Sequence, residues 1–208
     1  ANIKIARMKR RDYMKLSAAM PACAISAAAS AAATGENPKG GSASFSLDIP
    51  VKYDTDVFVA GGGPAGAAAA VAAAESGADV YLAENLSCFG GMGTSALVPV
   101  FMQMTDGINF LAAGFGSRVK KMLDSEKSFS GGAHDIEALK RVYDGLAEKS
   151  GAKFSFCTKV IGAKASGGKI DYAVCSGLGG IFAAKAKVFI DATGNGDLAY
   201  MAGAEYEK

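Results

Sequence analysis

Gly61, Gly63 and Gly66 follow the spacing G-x-G-x-x-G, between an apolar run ending at Ala60 and an alanine-rich stretch that begins at Pro64. The order strand, tight turn, helix is what binding a dinucleotide phosphate requires. Gly61 permits a sharp turn out of the strand. Gly63 lets the backbone approach a pyrophosphate with no Cβ in the way, and Gly66 lets the helix pack close to the strand. The helix N-terminus then offers free N–H groups and a partial positive charge to the anion. A carboxylate follows where a ribose needs one. Glu84 ends the next apolar run, Asp79–Ala83, 23 positions after Gly61, near the roughly 20 expected for an acid on the adenosine ribose.

Other chemistry-bearing residues read more plainly. The stretch 85–96 is glycine-rich and is consistent with either a cofactor-facing turn or an ordinary flexible loop. Cys88 lies in it without a pairing cysteine, which favours a structural thiol over a redox-active one. Cys157 and Cys175 sit in apolar, strand-like runs and read as small core residues. With Cys23 in the N-terminal segment, three cysteines remain, and an odd number supports no complete disulfide framework. His134 is the only histidine and has no cluster of ligating residues around it, so no metal site is expected. It precedes a helix cap and reads as a surface residue. Met92, Met102 and Met104 read as core or lid packing. Asp197 is read equally as a helix cap after a glycine turn and as a cofactor ligand. No general acid or base is identifiable.

The elements that must position these residues follow from periodicity and punctuation. A strand is predicted over 53–60, a helix over 64–76 with Pro64 near its start, and a strand over 79–84. A helix is expected over 108–123, although Gly114 and Gly116 oppose it. Asp135 is a good N-cap for a helix running to Lys149, with Ile136, Leu139, Val142, Tyr143 and Leu146 at helical spacing. A third strand is predicted over 153–160, then short strands over 161–165, 170–175 and 181–186 as an antiparallel meander, and a last strand over 187–191. The fold class is α/β: a Rossmann-like parallel sheet with helices on both faces and a small antiparallel β-meander.

Composition sets further bounds. The chain has 208 residues, half of them apolar, enough for one good core. Its net charge of +2 is misleading, because six basic residues and one acid fall within residues 1–34, leaving the remainder slightly acidic. Nothing in that remainder has the bulk basic character that nucleic-acid binding needs. Residues 1–34 read as a signal peptide. Lys9-Arg10-Arg11-Asp12-Tyr13-Met14-Lys15 precedes an alanine-rich run, and Ala31-Ala32-Ala33 offers small residues for cleavage. The segment resembles a twin-arginine export signal. That implies the twin-arginine export machinery as a partner, and a periplasmic or other extracytoplasmic location reached after folding around a cofactor. A basic tail is the competing reading, and Met20–Cys23 faintly resembles a lipoprotein cleavage box. Residues 35–50, rich in Gly, Ser, Pro and Lys, read as a linker.

Three separated segments resemble the FAD-dependent oxidoreductase family with a glutathione-reductase-type FAD fold. They are Asp56–Gly66, Glu84 followed by Phe89-Gly90-Gly91-Met92-Gly93-Thr94, and Val188–Ala199 with its Ala192-Thr193-Gly194 turn. The resemblance covers residues 54–207. It implies FAD as cofactor, with the backbone of Gly63, Pro64, Ala65 and Gly66 at the pyrophosphate and Glu84 on the ribose. It further implies Gly90, Gly91 and Thr94 along the pyrophosphate towards the flavin, Val160 offering backbone to adenine, and Ala192–Gly194 passing close to the cofactor. An unidentified small-molecule substrate and an electron-transfer partner are implied with it. Family members continue beyond the Ala-Thr-Gly strand, so residues 51–208 are expected to be an incomplete FAD-binding domain lacking its substrate domain. Two alternatives stay open: an NAD-dependent dehydrogenase, and a non-catalytic dinucleotide-binding or interaction domain.

Overall fold

Parallel pairing places the first strand at the centre. β1 (Val51–Ala60) lies between β2 (Val80–Ala83) and β8 (Gly180–Asp191), parallel to both. β2 is buried at every position, as a strand covered on both faces must be. The computed structural model describes residues 44, 46–102 and 104–206. The expected signal segment and most of the expected linker therefore lie outside the described residues. The remaining elements are α1 (Pro64–Glu75), α2 (Phe115–Ser125), β3 (Phe129–Ser130), β4 (Ala133–His134), α3 (Ile136–Ser150), β5 (Lys153–Ser155), β6 (Lys159–Ser166), β7 (Lys169–Gly177) and α4 (Asp197–Met201). One six-stranded sheet runs β5-β2-β1-β8-β7-β6, and β3–β4 form a separate hairpin. All of these elements belong to one compact unit, Ile49–Lys208.

Side-chain alternation along the strands divides the core into two layers. Val59, Val80 and Leu82 face α1, α2 and α3, packing on Val71, Leu123, Leu139 and Val142. Phe58, Tyr81 and Ala83 face the other way, into a cluster with Cys175, Phe182 and Leu198. α1, α2 and α3 cover one face; residues of the antiparallel strands and α4 fill the other. α1 forms because alanine is the strongest helix former and Pro64 sits in its first turn. α3 is capped by Asp135, whose carboxylate accepts from the Ala138 amide at 2.6 Å, and it ends at Gly151 with φ +79°.

Three expectations about elements are corrected. The predicted helix over 108–123 begins only at Phe115, because Gly114 adopts φ +68° at its start, outside helical space. The predicted third strand over 153–160 breaks at Cys157, which takes φ +50°. The chain thus leaves β5 at one edge of the sheet and enters β6 at the other, while the Thr158 amide still donates to the Glu84 carbonyl at 2.8 Å. The last meander strand and the final parallel strand are one element, β8. It pairs antiparallel with β7 through Gly180–Ala184 and parallel with β1 from Ala183 to Asp191.

Two residue readings change with them. Cys157 is exposed on its break rather than in the core. Cys175 is buried as expected, and burial pushes its thiol up to about 12. His134 is not on the surface: it is buried, with 5% exposure.

Candidate cofactor site

The loops that follow β1, β2 and β8 meet at the carboxyl ends of the parallel strands, the place where open α/β sheets bind ligands. They enclose a cleft of about 750 Å³. The fingerprint supplies one wall through Gly61, Gly63, Pro64 and Ala65. Glu84 stands on the β2 side, Ala192, Thr193 and Gly194 on the β8 side, with Gly91 and Val160 completing the rim.

Each fingerprint glycine answers to a different neighbour. Gly61 has φ +90°, and a Cβ there would lie 2.5 Å from the Ala192 carbonyl oxygen. A Cβ on Gly66 would lie 1.8 Å from the Gly61 carbonyl oxygen, so Gly66 brings α1 onto the end of β1 and lies behind the cleft. Gly63 is the exception. Its backbone is ordinary, φ −62° and ψ −175°, and a Cβ there would meet nothing within 4 Å. Packing within the chain does not require glycine at 63. The first-turn amides of Ala65 and Gly66 have no intrahelical acceptors, while Pro64 has no N–H to offer. This open cradle at a helix N-terminus fits a pyrophosphate.

Glu84 is nearly buried, and its carboxylate is oriented by its own surroundings. One oxygen accepts from the Gly62 amide and the other from the Leu86 amide at 2.6 Å. A carboxylate has about four acceptor sites, so both oxygens keep capacity for a ribose diol. Gly90 and Thr94 lie behind the wall rather than on it. The Thr94 hydroxyl donates to the Phe89 carbonyl at 2.6 Å, and the Gly90 amide donates to the Gly62 carbonyl at 2.9 Å. They lock the Gly91–Gly93 turn onto the fingerprint loop.

Asp191 escaped the sequence reading. Its carboxylate accepts from the Thr193 amide and hydroxyl, at 3.0 and 2.7 Å, and from the Ala199 amide at 2.8 Å. Burial pushes this carboxyl up, but the Ala199 and Thr193 donors outweigh it and leave it below the usual carboxylate range. Asp191 therefore shapes the turn that carries Ala192–Gly194 to the cleft. Thr193 extends the brace by accepting from the Asp197 amide at 2.8 Å. Asp197 is not the helix cap. Gly196 holds that position with φ +72°, and Asp197 opens α4 on the cleft wall. Lys159 and Asn195 also reach the wall without a sequence signal of their own. The Cys88 sulfur lies 3.2 Å from the Ser95 hydroxyl. A second hollow of about 310 Å³, lined by apolar residues including Val98, Val100, Phe101 and Met102, shares Pro64 and Met92 with the cleft.

A family model described as FAD dependent oxidoreductase matches residues 56–208. The chain belongs to that family. Its cofactor is FAD, and the open cradle at Gly63 beside the oriented Glu84 fits the adenosine diphosphate half of that molecule. Solved structures of flavoprotein-like fold agree on the architecture. A geranylgeranyl bacteriochlorophyll reductase-like protein from Thermoplasma acidophilum matches at 23% identity and TM-score 0.52, covering 74% of this flavoprotein and 43% of that chain. L-proline dehydrogenase from P. horikoshii matches at 17% identity and TM-score 0.55, covering 76% and 58%. Thermovibrio ammonificans THI4 matches at 20% identity and TM-score 0.50, covering 71% and 61%. The flavoprotein thus spans less than two thirds of each of these chains. No curated protein matches it by sequence.

Proposed function

We propose that the chain is the FAD-binding part of an enzyme that passes a hydride or electrons between a small organic substrate and bound flavin. The observation that carries this reading is Gly63: a glycine with ordinary backbone and open space, at a helix N-terminus, in the cleft that Glu84 also lines. FAD supplies the redox chemistry when bound; the protein supplies binding and orientation. The α1 amides hold the pyrophosphate, Glu84 fixes the ribose, and the Asp191-braced turn closes the opposite wall. The adjoining apolar hollow supports a substrate with an uncharged face. Protein reconstituted with FAD and desalted is expected to keep about one flavin per chain, read by visible absorbance. A colourless product, or calorimetric binding of NAD without FAD, overturns the reading.

Export is a separate part of the proposal. Arg10-Arg11 and the alanine run that follows support passage by the twin-arginine machinery to the periplasm or another extracytoplasmic compartment. The proposal includes an electron-transfer partner in the same compartment. Replacing both arginines by lysine is expected to hold the precursor in the cytoplasm, scored by fractionation. Undiminished export of that variant overturns the route.

A further inference from the structure

We propose that His134 is a positioning residue for the cofactor cleft, holding the Gly91–Gly93 turn against the fingerprint loop from behind. The proposal rests on the FAD reading of the cleft. The imidazole is buried, stacked on Phe101 with centroids 4.5 Å apart and planes 27° apart. Its Nε2 lies 3.0 Å from the Gly93 carbonyl oxygen. A carbonyl only accepts, so Nε2 carries the proton and donates. Nδ1 is buried without a partner. A phenylalanine at this position would stack on Phe101 as well and bury no polar atom of its own, so packing of the ring alone gives no reason for an imidazole. The bond to Gly93 does.

That bond reaches the cofactor wall in two steps. Gly93 ends the 3₁₀ turn that begins at Gly91, and Gly91 and Met92 line the cleft. The Gly90 amide, at the head of that turn, donates to the Gly62 carbonyl at 2.9 Å, so the turn is bonded to the fingerprint loop that forms the pyrophosphate cradle. The base of the tether is itself fixed. The His134 amide donates to the Pro99 carbonyl at 2.8 Å, and the Phe101 amide donates to the Gly132 carbonyl at 2.9 Å. The β3–β4 hairpin therefore braces the loop from outside the cleft, and His134 is the one side chain hydrogen-bonded to the Gly93 carbonyl among the described residues.

The test compares His134→Phe, which keeps the stack and removes the donor, with His134→Gln, whose amide nitrogen can reach the same carbonyl. His134→Phe is expected to weaken FAD binding about five- to tenfold, the equivalent of one hydrogen bond. It should also blur the visible circular dichroism of bound flavin, while apo melting falls by only a few degrees, the cost of the same lost bond. His134→Gln is expected to restore affinity to within about twofold, since it replaces the donor that is lost. Because the chain has one histidine, nitrogen-15 ring signals of wild-type protein, prepared without a histidine tag, belong to His134 alone. They are expected to show the Nε2–H tautomer in the absence of any cofactor. Wild-type FAD affinity in His134→Phe overturns the proposal. So does failure of His134→Gln to recover affinity, or an Nδ1–H tautomer in the apo protein. If wild-type protein binds no FAD, the cofactor reading fails. The tether is then read by amide exchange at Gly93 and Thr94: faster exchange in His134→Phe supports it, and unchanged exchange overturns it.

Discussion

Gly66→Val is expected to melt far below the wild type, with a loss of about 3 kcal/mol or more, the upper end of what overpacking costs. Typical native stability is only about 5–15 kcal/mol. The Cβ alone would lie 1.8 Å from the Gly61 carbonyl oxygen and 3.1 Å from the Ala192 Cβ. Neither neighbour can move cheaply. The Gly61 amide is bonded to the Ala83 carbonyl at 2.8 Å, and the Ala192 amide to the Ala60 carbonyl at 2.8 Å. β1, β2, β8 and α1 all meet at this point, so relief requires lifting the helix off the sheet. Gly145→Ala serves as the control. Gly145 lies within α3 and a Cβ there meets nothing within 4 Å. That change should stabilise by about 0.5–1 kcal/mol, the usual gain on removing a helical glycine. Thermal melts followed by far-ultraviolet circular dichroism check both. A Gly66→Val midpoint within a degree or two of the wild type would show that the helix does not sit this close to the strand.

What the sequence made legible was local. The fingerprint could be read because strand, turn, helix and acid lie within one short stretch, and Gly61 and Gly66 each have a steric duty there. The Asp135 cap and the α3 stripe could be read for the same reason. What it concealed depends on residues far apart in the chain. His134 looked like an isolated polar residue before a cap. Its burial arises only when the hairpin folds over Phe101, and the paired Gly131-Gly132 turn, φ +58° and +87°, was the one local hint of that hairpin. Asp191 looked like the end of a strand, because its partners Thr193 and Ala199 are brought to it by a turn whose shape the alphabet does not spell out. The break at Cys157 had no sequence mark, since nothing about a cysteine announces φ +50°. The union of two expected strands into β8 did leave one: no turn residue separates Ala186 from Lys187.

Gly63→Val separates folding from binding, and its expected result is a normal apo protein that cannot hold FAD. The backbone at Gly63 lies in a region open to any L-residue, φ −62°, and a Cβ meets nothing within 4 Å, so the backbone needs no glycine and a side chain begins in open space. The turn needs a positive φ at Gly61 and not at Gly63. On the proposed reading, the same open space belongs in the bound state to the pyrophosphate, which must come close to the first-turn amides of α1. A branched side chain fills that space, and its rigidity at χ1 prevents it from swinging clear. At FAD a hundredfold above its dissociation constant, the wild type gains about 2.7 kcal/mol of stability from binding. For a domain of this size that is a rise in melting temperature of roughly 5–10 °C. Gly63→Val should melt with wild-type apo protein and show none of that rise. The contrast with Gly66→Val then distinguishes the two glycines, one required by the fold and one by the ligand. A Gly63→Val protein that keeps the full FAD-dependent rise would mean that the pyrophosphate lies elsewhere, and the cleft would lose its assignment.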